Sequence, residues 1–519
     1  MKPFLFFIFC FKIQFVLAQF PNILIDDNGN PNEPSIWVNP KNVQNIVAGA
    51  NLNFTYQSAD GGLSWQKNNV TCDWGVWGDP CIISDTSENF YFIHLSNPPG
   101  GSWIDRIICQ KSTDNGLTWS NGSYTGLNGI RDQDKAWAVY DPLTKNIYMT
   151  WTQFDTYASN SPGDSAIILF SKSTDQGITW TEPVRINRQA GNCLDSDYTP
   201  EGAVPTVGSD GKIYVAWSFN DTIWFDRSAD QGDSWLVTDI AATAHSGGWD
   251  YNIPGLYRSN GMPVTKCDLS NSIYNGTIYI NWSDQRNGAD NTDVFIAKSI
   301  DGGNTWSTAV KVNDDNTETH QFMSWMDIDQ ADGMIWIVFY DRRNYSDKNT
   351  DVFLAYSADG GETFTNVKIS ESPFIPNAIT FLGDYNNISA YGGKIAPIWT
   401  REDNLQTSVW TAQIEVTTLT EAMQTLLPSH FLLFQNTPNP FSETTSIGMA
   451  IPVSDFYTLT LFDMTGKKIT DLILDEFLEQ GHHKIVLAAK QLGLRNSAYY
   501  YSLRRGNETV TKKLIFISQ

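Results

Sequence analysis

One eight-residue pattern recurs six times in this chain: SADGGLSW from Ser58, STDNGLTW from Ser112, STDQGITW from Ser173, SADQGDSW from Ser228, SIDGGNTW from Ser299 and SADGGETF from Ser357. Its aspartates, Asp60, Asp114, Asp175, Asp230, Asp301 and Asp359, stand 54 to 71 residues apart, a period that suits a four-stranded sheet with generous loops. Each part of the pattern has a mechanical task. The carboxylate accepts backbone N–H groups across a hairpin, the glycine two positions on tolerates positive φ, and the aromatic residue packs beneath the turn.

A second repeat runs in phase with the first. Aromatic-rich runs precede the turns, as in FYFIHL from Phe90, IYMTW from Ile147, IYVAW from Ile213, IYINW from Ile278 and IWIVF from Ile335. Segments such as DVFIAKS from Asp293 and DVFLAYS from Asp351 follow them, which makes these strands two and three of each unit. First strands are expected near Pro34, Pro80, Lys135, Gly202, Met262, Ser324 and Tyr385, giving seven units. The last, residues 383–416, lacks the turn motif, and residues 22–25 are placed as its outer strand so that the ring closes without an exposed edge. The expected fold is all-β, a β-propeller of seven blades, with six the alternative.

The repeated turns resemble the Asp-boxes of bacterial sialidases (neuraminidases), the BNR repeat. The resemblance covers roughly 390 residues in architecture and implies a secreted, sialidase-like glycoside hydrolase acting on a complex or acidic glycan. Sialidases combine three arginines, a Tyr-Glu nucleophile pair and an aspartate proton donor. Their opening Phe-Arg-Ile-Pro motif has no match here, because the first unit reads EPSIWVN from Glu33. A repeat fixes architecture without fixing activity. A non-catalytic glycan- or protein-binding propeller, and a hydrolase or lyase of another polysaccharide, therefore stand beside the hydrolase reading.

In such a ring the approach to strand one and the exit from strand two share a face, with the repeated turns on the opposite face. Residues at that approach are Glu33, Asp79, Asp134, Glu201 and Asp384, five carboxylates from five units. Glycosidases need paired carboxyls, one to protonate the leaving oxygen and one to support the cationic transition state, and crowding of like charge raises some of their pKa values. The alternative roles are capping of strand ends and binding of calcium, the one cofactor the sequence brings into view. Tyr257 and Tyr340 are nucleophile candidates with Glu201 as partner. The loops from Asp284 (DQRNGADNTDVF) and Asp341 (DRRNYSDKNTDVF) pair Asp284 with Arg286 and Asp341 with Arg343. Those arginines, with Arg131, Arg258, Arg342 and Arg401, are the candidates for clamping a sugar carboxylate or sulfate, or else they brace neighbouring loops.

The ends of the chain differ from its middle. Residues 1–18 read as a signal peptide cut after Ala18, with Lys12 interrupting the apolar run, and no later run is long enough for a transmembrane anchor. Residues 19–427 form the propeller, and every tryptophan lies before a break in composition near Pro428. Residues 428–519 alternate as strands of a small Ig-like β-sandwich. This tail resembles the C-terminal sorting domain of Bacteroidetes proteins exported by the type IX secretion system. The features that carry the likeness are Asn436, Pro438, Asn439, Pro440 and Phe441, the turn from Phe462 to Gly466, Gly481 with His482, and Lys512, Lys513 and Leu514. It implies export through the periplasm and outer membrane to the cell surface or medium, with the secretion machinery as partner.

Aspartate and glutamate total 57 against 34 lysines and arginines, and the net charge of -23 argues against nucleic acid as a partner. The chain is expected to be a monomer. No P-loop, dinucleotide fingerprint, zinc-type Cys/His spacing or nucleophile elbow is present in the sequence. Of the five cysteines beyond the leader, Cys72 with Cys81 is the one pair expected to bridge, against burial of Cys72, Cys81, Cys109, Cys193 and Cys267 as small apolar residues.

Overall fold

The computed structural model describes residues 20–415 and 431–518, apart from 437, 452, 479, 480 and 507. They divide into two compact units on either side of residue 415. The leader at 1–18 and the expected boundary at Pro428 lie outside the described residues. All regular structure among the described residues is β, and no helix there is long and apolar enough to cross a membrane.

The first unit holds seven antiparallel sheets with the architecture of a β-propeller. Their first strands are Ser35–Val38, Gly78–Ser84, Asp132–Tyr140, Glu201–Val207, Val264–Cys267, Gln321–Ile328 and Asn387–Tyr391. Each first strand packs on the next, and the seventh packs on the first, so the ring is closed. The strand Asn22–Asp26 pairs with Gln406–Ala412 and supplies the outer edge of the seventh sheet, as expected.

Stacking the sheets face to face buries both sides of their strands. That is why Phe90–Leu95, Ile147–Phe154 and Ile213–Phe219 read as nearly continuous apolar runs rather than alternating ones, every residue of each being buried. Tyr148, Ile168 and Phe170 of the third sheet meet Ile213, Val215 and Trp217 of the fourth. Ala396, Ile398 and Val409 of the seventh meet Ile36, Val38 and Ile46 of the first. Side chains also stitch neighbouring first strands: Val38 N–H donates to Ser389 Oγ (3.0 Å), Ile82 N–H to Ser35 Oγ (3.0 Å) and Ala390 N–H to Asp327 Oδ2 (2.8 Å).

The six repeated turns share one hydrogen-bond pattern. In the fourth, Asp230 Oδ1 accepts from Ser234 N–H (2.8 Å) and Ser228 Oγ (2.8 Å), and Ser228 Oγ accepts from Gly232 N–H (2.8 Å). Short bonds of this kind lower the Asp60 and Asp230 carboxyls to about 2, led by the Ser64 and Ser234 hydroxyls. The turn's aromatic residue reaches the preceding sheet: Trp119 Nε1 donates to Thr55 Oγ1 (3.2 Å), and Trp306 lies edge-on to Phe225 (5.1 Å). Each turn thus locks its own hairpin and pins it to a neighbour.

The second unit contains a three-stranded and a four-stranded antiparallel sheet whose apolar faces share one core, with Ile447, Met449 and Leu487 against Leu459, Tyr501 and Leu514. The turn at Asp463 closes through Asp463 Oδ1, which accepts from Thr465 N–H (2.8 Å) and Lys467 N–H (3.0 Å).

The expected Cys72–Cys81 bridge is not formed, and all five cysteines are free thiols. Cys81 faces the interior of the second sheet's first strand, where burial pushes its thiol up to about 12. Cys72 instead donates to the Gly75 carbonyl (3.1 Å).

Gly303 has φ +88°, and a Cβ there would lie 2.1 Å from the Phe225 ring; Gly129 has φ +67° and open space around it. Gly303→Ala is expected to destabilise the first unit by about 2–4 kcal/mol through backbone strain and overpacking, against about 1–2 kcal/mol for Gly129→Ala. Denaturant midpoints of the two variants check the difference.

Candidate functional site

At one end of the ring the chain turns sharply into each first strand. Pairing slips between Gly78 and Cys81, Asp134 and Trp137, Glu201 and Val204, and Phe322 and Trp325. Bulges of this kind re-aim side chains. Glu33, Asp79 and Lys135 all take φ of 50°, a left-handed conformation that costs a non-glycine residue energy and is concentrated at functional sites.

The structure gathers all five expected carboxylates here and adds residues the sequence reading did not select. Lys135, buried, donates to Asp384 Oδ2 (2.7 Å) and lies 3.7 Å from Asp79 Oδ2. Arg258 grips Asp384 with Nε (2.7 Å) and Nη2, and Asp195 with Nη1 (3.0 Å). Tyr157 donates to Asp195 Oδ2 (2.6 Å). Glu33 accepts from Asn51 Nδ2 at one oxygen and from Asp384 N–H (3.0 Å) at the other. Asn260 donates to the Asp384 carbonyl (2.8 Å).

The two cations divide the carboxylates into two kinds. Asp384 is held below the usual carboxylate range: burial opposes its charge, but Lys135 and Arg258 override that cost. Lys135 in turn resists the effect of burial and is held well above its ordinary value by Asp384, Asp79 and Asp134. Asp134 is pushed well above the usual range by burial, partly opposed by Lys135 and reinforced by Asp79 and Asp195. Glu201 is raised by burial and by the charges of Asp134 and Asp195, and neither of its oxygens accepts a well-formed hydrogen bond. Glu33 is raised by burial and by Asp79 and Asp384.

Above this floor opens a pocket of about 320 Å³, lined by Glu33, Asp79, Asp134 and Lys135 below and by Trp77, Trp103, Tyr157 and Phe381 at the sides. Asp79 and Asp134 lie side by side in the floor, their carboxyls within hydrogen-bonding reach of one another. Asp79 Oδ2 is shielded from solvent and faces Lys135 Nζ at 3.7 Å, and Asp134 accepts from the Lys135 N–H (2.9 Å) through Oδ1. One oxygen each of Asp134, Asp195 and Glu201 lie within 4.8 Å of one another, a group that could hold a hard cation such as calcium.

The remaining candidates stand apart from this floor. Tyr340 is 1% exposed, its hydroxyl donating to the Thr400 carbonyl (2.6 Å), so it is a core residue and not a nucleophile. Tyr257 is 64% exposed with its ring against Phe381. Of the arginines expected to clamp an anion, Arg258 alone lines the pocket. Arg286 is bound to Asp284 (2.6 Å) and stacked on Phe295. Arg343 is bound to Asp341 (2.7 Å) and stacked on Phe353, and Arg342 donates to Thr350 Oγ1 (3.0 Å) and the Pro254 carbonyl (2.8 Å). Arg131 pairs with Asp155 (2.8 Å) and Arg401 with Asp403 (2.5 Å). These five are loop braces, the alternative the repeated Asp-Arg spacing had left open.

Sequence missed Lys135 and Asp195 because neither carries a motif. The one signal for Lys135 was its place at the start of a first strand, beside Asp134.

No family model matches the chain, and no curated protein sequence does. Among solved structures it is similar to a PL25 ulvan lyase (13% identity, 77% of this chain and 99% of that one, TM-score 0.49). It is also similar to the α-L-arabinofuranosidase Arb93A from Fusarium graminearum (13%, 68% and 98%, TM-score 0.43) and to a point mutant of the NanB sialidase from Streptococcus pneumoniae (10%, 65% and 68%, TM-score 0.42). At these identities and scores the likenesses say nothing of this chain's chemistry.

Lys135→Met removes the cation nearest Asp384, Asp79 and Asp134 and is expected to destabilise the first unit by ~3–5 kcal/mol, whereas Arg131→Met, whose pair with Asp155 is open to solvent, costs about 1 kcal/mol or less. Thermal or denaturant melts of both variants check this.

Proposed function

We propose that this chain is a secreted, seven-bladed, sialidase-like propeller that acts on glycans as a glycoside hydrolase, with Asp134 and Asp79 as its reacting pair. The observation that carries the reading is the pairing of two carboxyls, Asp79 and Asp134, in the floor of a pocket walled by aromatic rings. Asp134, raised by burial and by neighbouring carboxylates, favours its protonated form and can give that proton to a departing glycosidic oxygen. Asp79 is the more accessible of the two and faces the same pocket, where it supports the positive charge that develops on the sugar. Asp79 and Asp195 oppose the ionisation of Asp134 and favour its acid form. Lys135 and Arg258 keep Asp384 ionised and fix the floor.

The reading departs from a sialidase in its chemistry, since a single arginine reaches the pocket and it is already bound to two aspartates. The second reading, a propeller that binds glycan without turnover, is favoured by the aromatic rings that plug the axis beneath the floor: Trp137 lies 4.4 Å from Trp325 and 5.0 Å from Tyr385. The leader and the tail support export, with the tail as a type IX sorting domain that folds as its own unit.

The test is turnover of chromogenic glycosides by the purified chain. Asp134→Asn and Asp79→Asn are each expected to lower kcat/KM by about 10²–10⁴-fold. Because the acid form of Asp134 is the active one, activity should fall as pH rises through its raised pKa, and Asp134→Asn should flatten that alkaline limb. Unchanged turnover in both variants removes this pair from the mechanism. Loss of activity in EDTA with recovery in calcium would assign Asp134, Asp195 and Glu201 to a cation instead.

A further inference from the structure

We propose that the pocket receives one uncharged sugar ring from the end of a glycan, stacked against Trp103 and Trp77, so that the chain is engaged from its terminus. This deepens the glycan reading above and rests on it.

Three observations carry the proposal. The first is depth. Beneath the carboxylates the rings of Trp137, Trp325 and Tyr385 fill the axis, Trp325 and Tyr385 being 6.0 Å apart, and the space beside them amounts to about 20 Å³, enough for a water. The pocket therefore ends at its floor. Its volume of about 320 Å³ lies at the low end of the roughly 300–1,000 Å³ typical of small-molecule sites, so it suits a terminal ring and not a threaded chain.

The second observation is the wall. Trp77 and Trp103 remain 37% and 41% exposed in a unit that buries Trp151, Trp217, Trp249, Trp282 and Trp336 almost completely. They meet edge to face at 5.5 Å, and Trp103 meets Tyr157 edge to face at 5.7 Å. Tyr157 is anchored by Asp195, so the three rings hold a fixed orientation before any ligand arrives. Rigid aromatic faces bury the C–H face of a pyranose, and the carboxylates below accept its hydroxyl protons.

The third observation is charge. Lys135 and Arg258 are the cations that line the pocket, and both are ion-paired with Asp384, Arg258 with Asp195 as well. A uronate or sialate carboxylate entering here meets Asp79 and Asp134 without an uncommitted cation to receive it. An uncharged ring meets acceptors for its hydroxyls at Asp79 and a donor at Asp134. Trp103 and Trp77 are thus residues that select the substrate rather than residues that react with it.

The test is intrinsic tryptophan fluorescence of the full chain titrated with two sets of methyl glycosides, one of neutral hexoses, pentoses and N-acetylhexosamines, the other of uronic and sialic acids. A neutral oligosaccharide is then compared with the same oligosaccharide blocked at its non-reducing end. The expected result is saturable binding of at least one neutral glycoside, weaker binding of every anionic one, and a loss of tenfold or more on blocking the end. Trp103→Ala should weaken binding at least tenfold with an unchanged melting temperature, and Trp103→Phe should restore most of it. Anionic glycosides binding more tightly, equal affinity for the blocked chain, or full affinity in both Trp103→Ala and Trp77→Ala would each overturn the proposal. Binding without turnover would keep this proposal and remove the hydrolase reading. Turnover confined to anionic or internal linkages would do the reverse, and no binding of any sugar would end both.

Discussion

A buried ion pair across the axis of the ring organises everything above it. Lys135 enters from the third sheet and Asp384 from the approach to the seventh, and they meet at 2.7 Å with Arg258 closing on the same carboxylate. Charges this deeply buried are costly unless paired and well hydrogen-bonded. Their partners are therefore fixed by the closed ring, and the ring's closure is in turn registered by the partners. With Lys135 and Arg258 committed to Asp384, the neighbouring carboxyls Asp134, Glu201 and Glu33 lie in a low-dielectric space where burial outweighs the pull of Lys135 and raises them above the usual carboxylate range. A fold built by repetition thus produces one asymmetric floor.

The two faces of the ring divide the work. The repeated turns use aspartate as a local acceptor at the surface, where short bonds stabilise the anion, as at Asp230. The opposite face uses aspartate in the interior, where burial destabilises the anion. The same residue type does opposite things because its surroundings differ.

Much of the fold was legible because its determinants are local and repeated. Six copies of one turn gave the period, aromatic runs such as FYFIHL gave the second strands, and the outer strand of the last sheet was placed at residues 22–25, within the observed Asn22–Asp26. The carboxylate floor was legible for a related reason: residues where the chain enters the first strands turn toward the axis, which placed Glu33, Asp79, Asp134, Glu201 and Asp384 together. Partner choice was not legible. Whether Arg258 or Arg286 reaches that floor depends on loop courses that no period controls, and Arg286 spends its guanidinium on Asp284 two residues away. Tyr340 has the alternation of a strand residue, yet its face is set by the packing of neighbouring sheets, which turns its hydroxyl to Thr400. Cys72 and Cys81 lie close in sequence, but the strand carries Cys81 inward while Cys72 stays on the loop.

The most direct measurement of the central claim is a crystal structure of the chain soaked with a neutral monosaccharide that it binds. The account predicts a ring lying on Trp103 with hydroxyls within hydrogen-bonding distance of Asp79 and Asp134, above an intact Lys135–Asp384 pair. A sugar bound at the face of the repeated turns, with the carboxylate pocket empty, would contradict it.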